Sequence, residues 1–136
     1  MKTYVLDACA LIAVLNKEDG ADVVKALLEA PTDRVSLYMN IVNLLEVYYG
    51  LIRTYGQQEA DHVLNVIKSS PIKLVEHISE PIFREAARLK SSYKISLADA
   101  FALSQAVAVQ GVLITSDHHE FDIVEQCEPI DFLWIR

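Results

Sequence analysis

Tyr4-Val5-Leu6-Asp7-Ala8-Cys9-Ala10-Leu11 decides the fold. The apolar run before Asp7 is too short for a helix and reads as a first buried strand. The segment after it, Ala8 to Leu15, reads as a helix. An acid between a buried strand and a helix stands at the strand's carboxyl end. The same strand-to-helix change recurs outward from this stretch. Asp22 to Leu28 gives a second short helix, and Val35-Ser36-Leu37-Tyr38 a strand. Asn40 caps a long helix from Ile41 to about Tyr55, and Gln57 to Lys68 continues as another. Ile72 to Val75 reads as a strand and Glu80 to Lys90 as an amphipathic helix. Ser96 opens an apolar helix running to Val109, Gly111 ends it, and Val112 to Thr115 follows as a strand. A last weak strand is expected near residues 127–135. Alternation of this kind predicts one α/β domain spanning 1–136, with a mainly parallel central sheet covered by helices on both faces. In such sheets the ligand crevice lies beyond the carboxyl ends of the strands.

The 136 residues suit one domain able to bury a core without staples. Apolar residues make up 52% and charged residues 23%, which excludes a disordered or fibrous chain. Net charge is −7, and residues 115–136 alone carry six acids against one base. A polyanion binder working by bulk charge is therefore excluded, and any nucleic-acid contact must use a local patch or a metal. Cys9 and Cys127 show no metal or disulfide spacing and read as reduced, partly buried thiols. No apolar run approaches a membrane span, and Asp7 breaks the only segment resembling a signal region. The expected location is the cytoplasm, with no membrane partner.

Four acids stand where solvent-facing charge is not the default. Asp7 and Asp117 each follow a strand. Asp99 is the only charge between Lys94 and Asp117, in a helix apolar enough to be buried nearly all round. Glu46 is the sole acid from Ile41 through Gln58. Each of the first three also has a structural explanation. Asp7 suits an N-cap, Ser96 with Asp99 fits a capping box, and Asp117 suits a cap or turn. Glu46, in mid-helix, suits an exposed stripe or a pairing with Arg53. Were the four to converge, they would repel one another unless a cation sat among them, and hard divalent ions such as Mg²⁺ or Mn²⁺ take oxygen ligands of this kind.

Taken with their neighbours, Tyr4 to Leu11, the Glu46 helix, Ile95-Ser96-Leu97-Ala98-Asp99-Ala100 and Leu113-Ile114-Thr115-Ser116-Asp117 resemble the four acidic motifs of PIN-domain nucleases. The resemblance covers essentially the whole chain, with intervals of 39, 53 and 18 residues between the acids. Its size is similar to VapC-type toxins of prokaryotic toxin–antitoxin pairs. The resemblance implies a metal-dependent endoribonuclease using Mg²⁺ or Mn²⁺, with Asp7, Glu46, Asp99 and Asp117 as catalytic and metal-binding residues. It also implies an RNA substrate and a small cognate antitoxin. The alternative is a non-toxin PIN module that processes RNA, or binds RNA or a partner without catalysis. Cys9 departs from the Ser or Thr that many relatives carry, and a thiol is a poor Mg²⁺ ligand. Asp122 is a further candidate acid on the rim.

Other signals are weaker. His118-His119 lacks a third spaced zinc ligand and reads as a solvated loop. A receiver or aspartyl-phosphatase would need a further acid near Asp7, where Cys9 stands. Tyr38, Tyr48, Tyr49 and Tyr55 suit packing more than base stacking. Arg84, Arg88, Lys90 and Lys94 cluster around Tyr93 on a helix face. The long helix is apolar on more than one face through Leu44, Leu45, Tyr48, Leu51 and Ile52, which predicts a homodimer. Ala10, Leu11, Val14 and Leu15, with Val23, Val24 and Leu27, are expected to offer an apolar groove to the antitoxin.

Overall fold

A computed structural model describes residues 1–136. Five strands, β1 (Lys2–Leu6), β2 (Val35–Asn40), β3 (Lys73–Val75), β4 (Val112–Thr115) and β5 (Phe132–Trp134), form one sheet in the order β3-β2-β1-β4-β5. Every neighbouring pair is parallel. Seven helices connect and cover them: α1 (Ala8–Leu15), α2 (Ala21–Glu29), α3 (Ile41–Tyr55), α4 (Gln57–Lys68), α5 (Glu80–Ser92), α6 (Leu97–Val109) and α7 (His118–Cys127). No helix is long and apolar enough to cross a membrane.

The strand alternation explains the layers. Leu6, Leu37, Met39 and Ile114 point into a cluster with α1, α2, α3 and α4. Val5 and Leu113 point the other way, into a cluster with α5, α6 and Phe121 and Val124 of α7. Period-two side chains thus bury both faces of the sheet. At Gly20, φ is +93° and a Cβ would lie 2.3 Å from the Ile135 carbonyl oxygen. Only glycine lets the α1–α2 turn approach the end of β5 so closely.

The expected elements from β1 to β4 are present, with ends shifted by a residue or two. Two expectations fail. His118-His119 is not in a loop but opens α7, an unanticipated helix, while the last strand forms at Phe132–Trp134, inside the expected 127–135. Cys127 is exposed rather than partly buried, because it ends this helix; both thiols are free.

The strand order positions the site. The chain steps outward from β1 to β2 to β3, then returns so that β4 pairs with the other side of β1. The crevice between β1 and β4 is the topological switch point, where crossover helices diverge and leave an opening. Asp7 ends β1 and Asp117 follows β4, so both stand at its mouth.

Candidate metal centre

Asp7 is 1% exposed and caps α1, its Oδ1 accepting from the Ala10 N–H at 2.8 Å. Its Oδ2 accepts a short hydrogen bond from the hydroxyl of Thr115, which is fully buried. The same hydroxyl oxygen accepts from the Asp117 N–H at 3.0 Å. Thr115 therefore ties the ends of β1 and β4 together through the carboxylate. Asp117 in turn caps α7, its Oδ1 accepting from the Glu120 N–H at 3.1 Å.

Asp99 lies in the first turn of α6 and is 9% exposed. Ser96 Oγ accepts from the Asp99 N–H at 3.1 Å. The reciprocal backbone bond of a capping box, from the Ser96 N–H to the Asp99 carboxylate, does not form; the carboxylate instead meets Asp117 and Glu120, with the Ser96 side chain lowering its pKa. Asp99, Asp117 and Glu120 bring carboxylate oxygens within 4.8 Å of one another. Glu46 approaches from α3. One turn earlier on that helix, the fully buried Asn43 donates from Nδ2 to the Ala98 carbonyl at 3.0 Å, joining α3 to the start of α6. Asn43 Oδ1 is the one buried side-chain polar atom without a partner.

The acids raise one another's pKa values. The Asp7 carboxyl is pushed up to about 7, chiefly by burial, against the bonds from Thr115 and Ala10, with Asp117 and Glu46 adding repulsion. Asp99 is likewise raised to about 7, by burial and then by Asp117 and Asp7, with a smaller push from Glu120. Glu46 is raised by burial and by Asp117. Cys9 is held at about 12 by burial and by all four acids, so it stays a thiol. Asp117 repels each of the other three and is the hub of the group.

Two of the sequence candidates, Asp99 and Asp117, thus meet directly, with Glu120, a residue the sequence reading missed, as the third of the trio; Asp7 joins through Thr115, and Glu46 is coupled to Asp117 and Asp7 through their charges. Glu120 stands where Asp122 was expected to contribute. Asp122 instead turns away and meets His118 Nδ1 at 2.8 Å. Asp117 followed three residues later by Glu120 is a helix-start pattern that places both residues on one side of the first turn. Much of the basic cluster around Tyr93 is taken up by its own partners. Arg88 pairs with Glu85 and Glu128, Tyr93 donates to Glu128, and Lys90 donates to the Ile95 carbonyl.

The donor set fits a hard divalent cation: carboxylate oxygens dominate, with no imidazole among the trio. Fold and site together define a parallel α/β protein with a carboxylate cluster at its strand switch point. The PIN domain model matches residues 4–125, and the chain belongs to the PIN domain family. No curated protein sequence matches the chain significantly. Among solved structures, a chain of a toxin–antitoxin complex from Klebsiella pneumoniae aligns with a TM-score of 0.70 at 20% identity, over 98% of both chains. A chain of the DNA-bound VapBC complex from Salmonella typhimurium aligns at 0.75 and 14%, over 100% of both. VapC20 from Mycobacterium tuberculosis, a sarcin-ricin loop cleaving toxin, aligns at 0.62 and 15%, over 81% of this chain and 86% of that one. At these identities the likeness is one of fold.

Proposed function

We propose that the chain, as a single PIN domain over residues 1–136, is a metal-dependent endoribonuclease and the toxin of a toxin–antitoxin pair. Convergence of Asp7, Glu46, Asp99 and Asp117 at the β1–β4 crevice carries this reading. These acids, joined by Glu120, are assigned to Mg²⁺ or Mn²⁺ binding and catalysis. A bound divalent ion supplies Lewis acidity at the phosphate and makes water a better nucleophile near neutral pH.

The chain's residues do the rest. Thr115 and the Ala10 N–H fix both oxygens of Asp7, so its remaining lone pairs keep one direction. Asp99, Asp117 and Glu120 hold negative charge opposite the incoming phosphodiester, which only a cation makes tolerable. Glu46, with its pKa raised by burial, suits a proton acceptor for the attacking water. Water attacks phosphorus as Glu46 takes its proton, the P–O bond to the leaving oxygen breaks, and that oxygen takes up a proton from solvent while Glu46 returns its own.

Partners follow from surfaces. Of the residues expected to meet the antitoxin over α1 and α2, Ala10, Leu11 and Val24 are buried in the chain's own core, while Val14, Leu15, Val23 and Leu27 are only partly buried. A narrower groove lies between α1, α3 and α4, lined by Ile12, Leu15, Leu51 and Tyr55. An amphipathic antitoxin helix would fit there. On α3, Leu45 is 57% exposed beside a groove of about 270 Å³ formed with Tyr48 and Leu64, which supports the homodimer. A cytoplasmic location suits RNA cleavage. Support for the toxin class comes from neighbours that are themselves toxin–antitoxin complexes. The test is mapping of RNA cut sites after induction, beside an Asp7→Asn control. New cut sites with the wild type alone are expected; identical RNA from both would refute the reading.

A further inference from the structure

The rim of the crevice carries a feature that the metal centre does not use. Four rings run in series from the core to the surface. Phe121, fully buried, meets Phe132 at 5.8 Å between centroids. Phe132 stacks on Trp134 at 5.3 Å and 9°. Trp134 stacks on His118 at 3.9 Å and 11°. The last three rings are therefore nearly parallel. Phe132 and Trp134 stand two apart on one strand, so they share a face. Trp134 is level with Thr115 in the sheet, and His118 directly follows Asp117. The open end of the series thus belongs to the residue next in sequence to a carboxylate of the cluster.

The His118 ring is committed at both nitrogens. Nδ1 meets Asp122 at 2.8 Å, and Nε2 meets the Arg136 carbonyl at 2.8 Å. One ring face is covered by the indole, yet 49% of the side chain is accessible. What remains open is the opposite face. A phosphate would need a free N–H, and Asp122 beside the ring repels it. A flat, uncharged π-surface suits an open, rigidly held ring face, and an unpaired nucleobase is such a surface.

We propose that the outer face of His118 is a stacking platform for an unpaired base of single-stranded RNA, backed by Trp134 and Phe132 and set beside the carboxylate cluster. This rests on the ribonuclease reading and deepens it, because the platform selects strands whose bases are free. A duplex keeps its bases stacked on one another and presents none.

Trp134 is the chain's single tryptophan, one ring away from the bound base, and reports on the event. Wild type, His118→Ala and His118→Phe are titrated with a short labelled oligoribonucleotide, Ca²⁺ replacing Mg²⁺. Anisotropy gives the affinity, and tryptophan emission gives the proximity. Wild type should bind with a change in emission; His118→Phe, which keeps the stack on Trp134 but neither ring-nitrogen bond, should retain most of that affinity, whereas His118→Ala should bind about tenfold more weakly, the size of one lost base stack. An abasic oligomer of the same length and charge should bind all three equally. Two results overturn the platform: equal affinity of His118→Ala and wild type, or a His118→Phe variant as weak as His118→Ala. Wild type that cleaves RNA while showing either result loses the platform alone. Wild type that neither binds nor cleaves RNA loses the ribonuclease reading and the platform with it.

Discussion

Asp99→Asn should raise the melting temperature of the metal-free protein and shrink the stabilisation that Mn²⁺ confers. Asp99 as a residue is 9% exposed, and its carboxyl pKa is pushed up to about 7 by burial and by Asp117 and Asp7. At pH 8 the folded chain must hold this group ionised among like charges, while the unfolded chain ionises it freely near its ordinary value. A raised folded-state pKa contributes stability at low pH that is lost as pH rises through about 7. A shift of that size is worth at most about 4 kcal/mol. The carboxyl faces an open crevice, and solvent screening reduces this to about 1–2 kcal/mol.

The opposing effect is small. Ser96 Oγ caps the Asp99 backbone N–H, and that bond survives the substitution. What is lost is the attraction of a carboxylate to a helix start, about 0.3–1 kcal/mol. The balance favours the variant by about 1 kcal/mol, or about 3–5 °C for a chain of this length. In wild type, Mn²⁺ at about a hundredfold excess over its Kd should add about 2.7 kcal/mol. The assay is a thermal melt at pH 8 of both proteins, each in EDTA and in Mn²⁺. A variant that melts lower in EDTA, beside a wild type indifferent to Mn²⁺, would refute the reasoning and leave Asp99 a helix-start residue.

The metal-free wild type should lose melting temperature as pH rises from about 4 to about 8, because Asp7 and Asp99 are both raised to about 7; saturating Mn²⁺ should flatten the profile, and a flat profile in EDTA would contradict the shared repulsion. Thr115→Val should leave Asp7 one hydrogen bond short and lower stability by about 1–3 kcal/mol, with cleavage falling in parallel and Thr115→Ser restoring both. Glu120→Gln should weaken Mn²⁺ binding measured by calorimetry while leaving the fold intact, whereas Asp122→Asn should leave the metal affinity unchanged; the reverse order would move the site to the Asp122 side of α7.

What the sequence disclosed, and what it withheld, follows from where each signal lives. Strands β1 and β4 are apolar runs ended by Asp7 and by Ser116-Asp117, so their ends and the acids at them were legible together. Their adjacency was not. That β4 pairs with β1 rather than with β3 is a property of the sheet, and no local pattern in either strand records it. Helix α7 was hidden for a different reason. Only Phe121 and Val124 are buried from it, three residues apart, so it lacks the repeating apolar stripe that marks a helix. The signal it does carry is at its start, Asp117 followed by Glu120, and that pair reads equally well as two loose surface acids. Placing 118–127 on a helix decides which acid joins the site. In a helix, Glu120 lies over the first turn beside Asp117, whereas Asp122 is rotated off that face and meets His118 instead. The same helix orients the His118 ring against Trp134. One short, weakly apolar helix therefore fixes both the cluster's third carboxylate and the stacking surface beside it.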